Sequence, residues 1–172
     1  MKFIPVNRPL IIGNEKKYLL DCINSGYVSS AGKYVKKFEN KFAKYIGKKY
    51  AVSVSNGTVA LQIAMDALEL KKNSEVILPA FTIISCIYPA IRNKLKPILV
   101  DSDIKNWNLD INLLEKKITP KTKCIIAPHI YGLPVDMSPL MKIAKKKKIY
   151  VIEDTAEAIG LDYNGKKCGS FG

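Results

Sequence analysis

The chain has 172 residues, of which 48% are hydrophobic, a balance that suits one soluble globular core rather than a disordered tail. Its formal charge of +13 is nearly all lysine, with Arg8 and Arg92 the only arginines, so the guanidinium forks favoured by nucleic-acid readers are missing and nucleic acid is not the expected partner. The four cysteines, Cys22, Cys86, Cys124 and Cys168, stand far apart beside a single histidine, His129, which argues against a zinc site or a disulfide framework.

The amino-terminal run Met1 to Leu10 is interrupted by Lys2, Pro5, Asn7, Arg8 and Pro9, so it lacks a signal-peptide core and a cytoplasmic location is expected. Asn14 to Asn24 predicts a helix with Tyr18, Leu19, Cys22 and Ile23 on one face and Gly26 just past its end. The polar turn Ser29 to Gly32 separates it from a second helix over about Lys33 to Ile46, closed by Gly47. Val35, Phe38, Phe42, Tyr45 and Ile46 recur there at helical spacing, which predicts a structural, core-facing stripe.

From Tyr50 the pattern changes. Strand-like runs at Tyr50–Val54, Val76–Leu78, Pro97–Val100, Lys123–Ala127 and Ile149–Ile152 alternate with helical segments. Those helices are expected over Thr58–Leu70, about Ile83–Arg92, Ile111–Ile118 and about Met137–Lys147, with Asp110 and Asp136 as caps for the last two. Such alternation predicts an α/β fold, a mainly parallel sheet with helices on both faces. Residues 1–48 would form a helical segment and residues 49–172 the α/β part. A hairpin is expected over Leu161–Lys167, turning at Asn164-Gly165. No stretch is long and apolar enough to suggest a membrane span: Val76–Leu78 and Cys124–Pro128 are strand-sized.

Ligands in open α/β sheets bind beyond the carboxyl ends of the strands, and there this sequence is richest in polar residues and glycine. The segments are Ser55-Asn56-Gly57-Thr58, Pro79 to Thr82, Asp101-Ser102-Asp103, Pro128 to Gly132 and Glu153 to Glu157. Gly57 would let a phosphate approach the backbone and Thr58 would donate its hydroxyl; an ordinary helix cap by Ser55 or Asn56 explains the same residues equally well. Neither GxGxxG nor GxxxxGK[ST] occurs. Asp154 follows an apolar strand, where a carboxylate needs a cation; a protonated pyridine nitrogen would serve, and a solvated loop acid or a magnesium ligand with Asp101 and Asp103 are the other readings. His129 has no serine or cysteine beside it that suggests a nucleophile pair.

Taken in order, these motifs resemble the DegT/DnrJ/StrS nucleotide-sugar aminotransferases, enzymes of the fold-type I pyridoxal-phosphate (PLP) architecture. The segments are S-x-G-T at Ser55–Thr58, E-V-I-L-P-x-F-T at Glu75–Thr82, V-D-S-D at Val100–Asp103 and I-T-P-K-T-K at Ile118–Lys123. They continue with H-x-Y-G at His129–Gly132, V-I-E-D-x-A-E-A at Val151–Ala158 and K-K-C-G-S-F-G at Lys166–Gly172. The resemblance implies a PLP cofactor with its phosphate on Gly57 and Thr58 and its pyridine nitrogen on Asp154. It places Glu157 near the ring's phenolic oxygen, where relatives usually carry glutamine or histidine. Many relatives stack an aromatic residue on the ring immediately after Pro-x-x-Thr; Ile83 stands here, so either Ile83 or Phe81 would cover it. Glu157, with Ser55–Leu61 and Asn106–Asp110, resembles the branch that forms GDP-perosamine by transferring an amino group, usually from glutamate, to the C4 ketone of GDP-4-keto-6-deoxymannose.

The resemblance covers the amino-terminal part of such an enzyme. The lysine that holds the cofactor is expected about a dozen residues beyond Gly172, so no catalytic residue is assigned within the chain and no metal is expected. The whole enzyme would be a homodimer without membrane or nucleic-acid partners. Two other readings remain: a non-catalytic subunit or remnant with half a PLP site, and a basic nucleic-acid-binding α/β domain.

Overall fold

The computed structural model describes residues 3–5 and 8–172; Lys2 and Asn7, which help to break the apolar run at the amino terminus, lie outside the described residues. Helices α1 (Glu15–Ser25) and α2 (Lys33–Ile46) each end on a left-handed glycine, Gly26 at φ 74° and Gly47 at φ 73°. That backbone conformation costs a residue without Cβ nothing. α1 buries no side chain and α2 buries only Ala43. The aromatic stripe of α2 is therefore not core, contrary to its periodicity. Phe38, Phe42 and Tyr45 pack along one another, yet Phe38 remains 55% exposed and Tyr45 46% exposed, the latter with the Lys167 ammonium 5.5 Å from its ring centroid.

A second correction concerns Tyr50–Val54, which forms no strand. A strand needs a partner for its ladder, and neither edge of the sheet reaches this segment. The carboxylate of Glu39 takes the backbone N–H of Ser53 at 2.9 Å and its hydroxyl at 3.0 Å instead. Helix α3 then runs Gly57–Asp66, shorter than its periodicity suggested, because Ala67–Leu70 unwinds into turns.

The remaining elements are β1 (Glu75–Pro79), a 3₁₀ turn (Ile84–Cys86), α4 (Tyr88–Arg92), β2 (Lys96–Val100), α5 (Ile111–Lys117), β3 (Thr122–Pro128), a 3₁₀ turn (Ile130–Gly132), α6 (Met137–Lys147) and β4 (Tyr150–Asp154). The helix expected over Ile83–Arg92 is thus split in two. All four strands are parallel, in the order β2-β1-β3-β4. The central strands β1 and β3 are nearly continuous in apolar residues because both their faces are covered. Val76, Leu78, Cys124, Ile126 and Ile152 pack on the face that carries α3 and α4. Ile77, Ile98, Val100, Ile125, Ala127 and Val151 pack on the other, with Leu114 of α5 and Leu140 and Ala144 of α6. The chain leaves β1 for β2 and then returns past β1 to β3, so the direction of winding switches between β1 and β3.

Two sequence motifs meet at the opposite, amino-terminal edge of the sheet. Glu75 at the start of β1 is buried and accepts from Thr119 at 2.5 Å and Thr122 at 3.2 Å. Asp110 caps α5 through the N–H of Asn112, as expected. Asp136 makes no such bond to α6; it accepts instead from the hydroxyl of Tyr163, beside the hairpin β5 (Asp162–Tyr163) and β6 (Lys166–Lys167). Asn164 and Gly165 at the hairpin turn both have positive φ, 49° and 76°.

Ile126 sits fully buried in β3 between two paired neighbours. Replacing it with alanine should lower unfolding stability by about 2–5 kcal/mol, measured by urea denaturation; a change under 1 kcal/mol would contradict this packing.

Candidate active site

At the carboxyl edge of the sheet, strand alternation sends neighbouring acids of β4 in opposite directions. Glu153 follows Val151 towards the α5/α6 face, and Asp154 follows Ile152 towards α3 and α4.

Glu153 is a buried hub. Its side chain is 3% exposed, and its carboxylate accepts from His129 Nε2 at 3.3 Å, Gly169 N at 2.8 Å, Phe171 N at 2.7 Å and Gly172 N at 2.6 Å. The Nδ1 atom of His129 accepts from Val135 N at 2.9 Å. The imidazole proton therefore sits on Nε2 and points at Glu153. Burial pushes the Glu153 carboxyl upwards, but the His129 hydrogen bond and the three backbone N–H groups outweigh it and hold the group below its ordinary value. His129 also anchors the strand tip through its own N–H, which donates to the Asp154 carbonyl at 3.0 Å.

Asp154 presents its carboxylate on the other face. Oδ1 accepts from Ala156 N at 3.0 Å, and Oδ2 accepts from the thiol of Cys86 at 3.4 Å. Thr82 donates to the same sulfur at 3.2 Å. Burial pushes the Cys86 thiol up to about 12, with the Asp154 carboxylate adding to the effect and Thr82 opposing it. The thiol is therefore a permanent donor at neutral pH.

The start of α3 faces this acid. Asn56 caps the helix by accepting from Val59 N at 3.0 Å. The first-turn N–H groups of Gly57 and Thr58 remain without intrahelical acceptors, as in any helix, so an ordinary cap and an anion anchor coexist at this corner. A Cβ built on Gly57 would meet no atom within 4 Å, so the space above it is open. The Thr58 hydroxyl shares a 2.8 Å hydrogen bond with Ser85. Between Gly57 and Asp154 lies a cleft of about 390 Å³, lined also by Ala60, Thr155 and Ala156, a volume within the range of small-molecule sites. A larger hollow of about 540 Å³ lies between α1 and α2. Its walls are Tyr18, Leu19, Phe38 and lysine stems, the uncovered apolar face already described, and no strand end opens into it.

Gly57 and Asp154 thus share one cleft, with Thr58 at the same helix start. Phe81 and Glu157 do not line it. Phe81 packs against Trp107 and Tyr131, with ring centroids 5.3 Å and 6.2 Å apart. Glu157 is exposed and accepts from Tyr131 N at 2.6 Å, tying the turn after β4 to the turn after β3. Ile83 is 60% exposed. Asp101 and Asp103 accept from N–H groups of their own loop, Ser102 and Lys105. Sequence reasoning missed Cys86, Ser85 and the Glu153–His129 pair. The one available signal was Glu153 itself, a charge following the apolar run Val151–Ile152 of β4, where a buried carboxylate demands donors.

A profile of the DegT/DnrJ/EryC1/StrS aminotransferase family matches residues 9–172. The GDP-perosamine synthase of Escherichia coli O157:H7 is 46% identical over 172 residues, covering 100% of this chain and 47% of that protein. The GDP-perosamine synthase of Vibrio cholerae is 44% identical over 169 residues, 98% of this chain and 46% of that protein. Among solved structures, E. coli GDP-4-keto-6-deoxy-D-mannose-3-dehydratase with bound hydrated PLP aligns at a TM-score of 0.89 and 33% identity, over 94% of this chain and 43% of that one. The chain spans about half the length of the curated relatives it matches.

The Glu153 hub makes stability depend on acid in a defined direction. Its folded-state pKa lies below the unfolded value. Its contribution is therefore complete above the unfolded value of about 4.3 and is lost as pH falls through the folded one. Glu153→Gln keeps the shape but turns one acceptor oxygen into a donor facing N–H groups. It should cost about 1–3 kcal/mol at pH 7 and flatten the loss of stability between pH 5 and 3 (approximate limits). Urea unfolding across that range measures both; an unchanged acid limb in the variant would show that Glu153 is not the titrating anchor.

Proposed function

The chain belongs to the DegT/DnrJ/EryC1/StrS aminotransferase family, and from that membership we propose that the protein transfers an amino group from glutamate to the C4 ketone of GDP-4-keto-6-deoxymannose. The likeness to two GDP-perosamine synthases over 98% or more of the chain supports this choice of substrate. The observation that carries the chemistry is the single cleft shared by Gly57 and Asp154.

The cofactor is pyridoxal 5′-phosphate, which when bound supplies an electron sink. The residues present fit it. The open space over Gly57 and the first-turn N–H groups of α3 suit a phosphate dianion, and the Thr58 hydroxyl adds a donor. Asp154, its two oxygens each holding one protein donor, keeps a free lone-pair direction for a protonated ring nitrogen. A carboxylate against that nitrogen keeps it protonated, and Leu61 and Ile152 give the cleft apolar walls beside it. Glu157, held by Tyr131 N, belongs in this reading to the far rim of the ring. Ring cover falls to Ile83 or to Phe81, the latter after leaving its Trp107 contact. The enzyme works as a homodimer in the cytoplasm in this reading; no helix among the described residues is long and apolar enough to cross a membrane.

Incubation of the full-length protein with PLP, ¹⁵N-glutamate and GDP-4-keto-6-deoxymannose should give a ¹⁵N-labelled 4-amino sugar nucleotide by mass spectrometry. A product that has lost the C3 hydroxyl without gaining nitrogen would replace the aminotransferase reading with a dehydratase one. PLP binding with no turnover would favour the non-catalytic subunit. Asp154→Ala should lower amino transfer by about 100-fold or more. Gly57→Ala should fold as well as the parent, since its Cβ meets nothing, yet bind PLP more weakly. Full affinity in that variant would place the phosphate elsewhere.

A further inference from the structure

The 3₁₀ turn Ile84–Cys86 touches both halves of the candidate site through successive residues. Ser85 meets the Thr58 hydroxyl at 2.8 Å, and Cys86 donates to Asp154 Oδ2 at 3.4 Å. A 3₁₀ turn has about three residues per turn, so its three side chains point in three directions. Ile84 takes the outward one, being 75% exposed, while Cys86 is fully buried. The turn is itself well held: Cys86 N bonds Ile83 O at 3.0 Å, Ile87 N bonds Ile84 O at 3.2 Å, and α4 follows with Pro89 and Ala90 buried.

We propose that Ser85 and Cys86 are paired positioning residues, which fix the distance and orientation between the phosphate-facing hydroxyl of Thr58 and the ring-facing carboxylate of Asp154. The inference rests on the assignment of those two residues made above and goes beyond it by naming what sets them.

The direction of each bond supports this role. Thr82 donates its hydroxyl proton to Cys86 Sγ, so the sulfur's own proton is left for Asp154. The raised thiol value keeps that proton in place at neutral pH. Asp154 is then held at both oxygens, by Ala156 N and by Cys86, and cannot swing about its side-chain torsion without losing one of them. Ser85 acts likewise on Thr58, whose rotamer decides whether its hydroxyl faces the corner beside Gly57. Because Ser85 and Cys86 are covalent neighbours, a shift at one anchor is passed to the other.

The test uses three probes that differ by one recognition element each. They are pyridoxamine 5′-phosphate, pyridoxamine, and the 1-deaza analogue of pyridoxamine 5′-phosphate, in which carbon replaces the ring nitrogen. Amines replace the aldehyde so that the many surface lysines form no imines. Dissociation constants are measured by equilibrium dialysis. Ser85→Ala should weaken pyridoxamine 5′-phosphate about fivefold and leave pyridoxamine unchanged. Cys86→Ala should weaken pyridoxamine 5′-phosphate about fivefold and leave the 1-deaza analogue unchanged, while Cys86→Ser, which keeps a donor, restores the parent value. Equal losses on all three probes would mark a merely structural role and overturn the proposal, as would no loss at all. Asp154→Ala separates the two levels of argument. If it binds pyridoxamine 5′-phosphate as tightly as the parent, the cofactor assignment itself fails. If it loses affinity in a nitrogen-dependent way while Cys86→Ala does not, only the positioning role fails.

Discussion

The tip of β4 is held by one buried carboxylate. Glu153 gathers N–H donors from His129 in the turn after β3 and from Gly169, Phe171 and Gly172 near the end of the described chain. A charge removed from water costs several kcal/mol unless its lone pairs are filled, and here four donors fill them. The satisfied group acts as a clamp across segments that lie far apart in sequence. Its removal would take the shared acceptor from the His129 ring and from the part-buried N–H groups of Gly169 and Phe171.

What the clamp holds is useful because of the pleat. Adjacent residues of a strand face opposite sides, so fixing Glu153 beneath the sheet fixes Asp154 above it. Parallel pairing does the rest. Pro128 is in register with Asp154, and Pro79 ends β1 beside them. The turns carrying Phe81–Cys86, His129–Gly132 and Thr155–Glu157 are thereby forced to one edge. The helix start at Gly57 arrives at the same edge because α3 packs against β4 and against the turn holding Cys86. No single loop makes the site. It is the common boundary of parallel elements, which is where α/β sheets place their ligands.

The sheet was legible in the sequence wherever a strand was buried on both sides. Val76–Leu78 and Lys123–Ala127 were plain because a doubly covered strand must be apolar throughout. Tyr50–Val54 carries the same composition and yet has no partner, since composition records the preference for a strand but not whether a ladder is available. The α2 stripe failed for a similar reason: helical periodicity shows that a face seeks cover, not that cover is present. Gly57, Thr58 and Asp154 stood out in the sequence because their chemistry is unusual at strand ends, and the fold brings Gly57 and Asp154 to one cleft. Cys86 did not stand out, since a lone cysteine reads as a small buried hydrophobe, and only its 3.4 Å approach to Asp154 gives it a role. The neighbours of Phe81 were not legible either: its packing against Trp107 and Tyr131 is a contact that no local pattern reveals.

The contrast between the two ends of the chain bears on how binding would work. Much of the apolar surface of α1 and α2 is exposed, whereas the strand tips are dense with hydrogen bonds. Asp154 is fixed at both oxygens and through its carbonyl before any ligand arrives. The entropy of ordering it is thus lost on folding and not on binding, the condition under which a single charged contact contributes most of its strength to affinity. A flexible aspartate in the same place would hydrogen-bond to water and offset that gain. The rigidity of the acid therefore depends on Glu153 and His129, whose hydrogen-bonded side chains pair with each other on the opposite side of the strand tip.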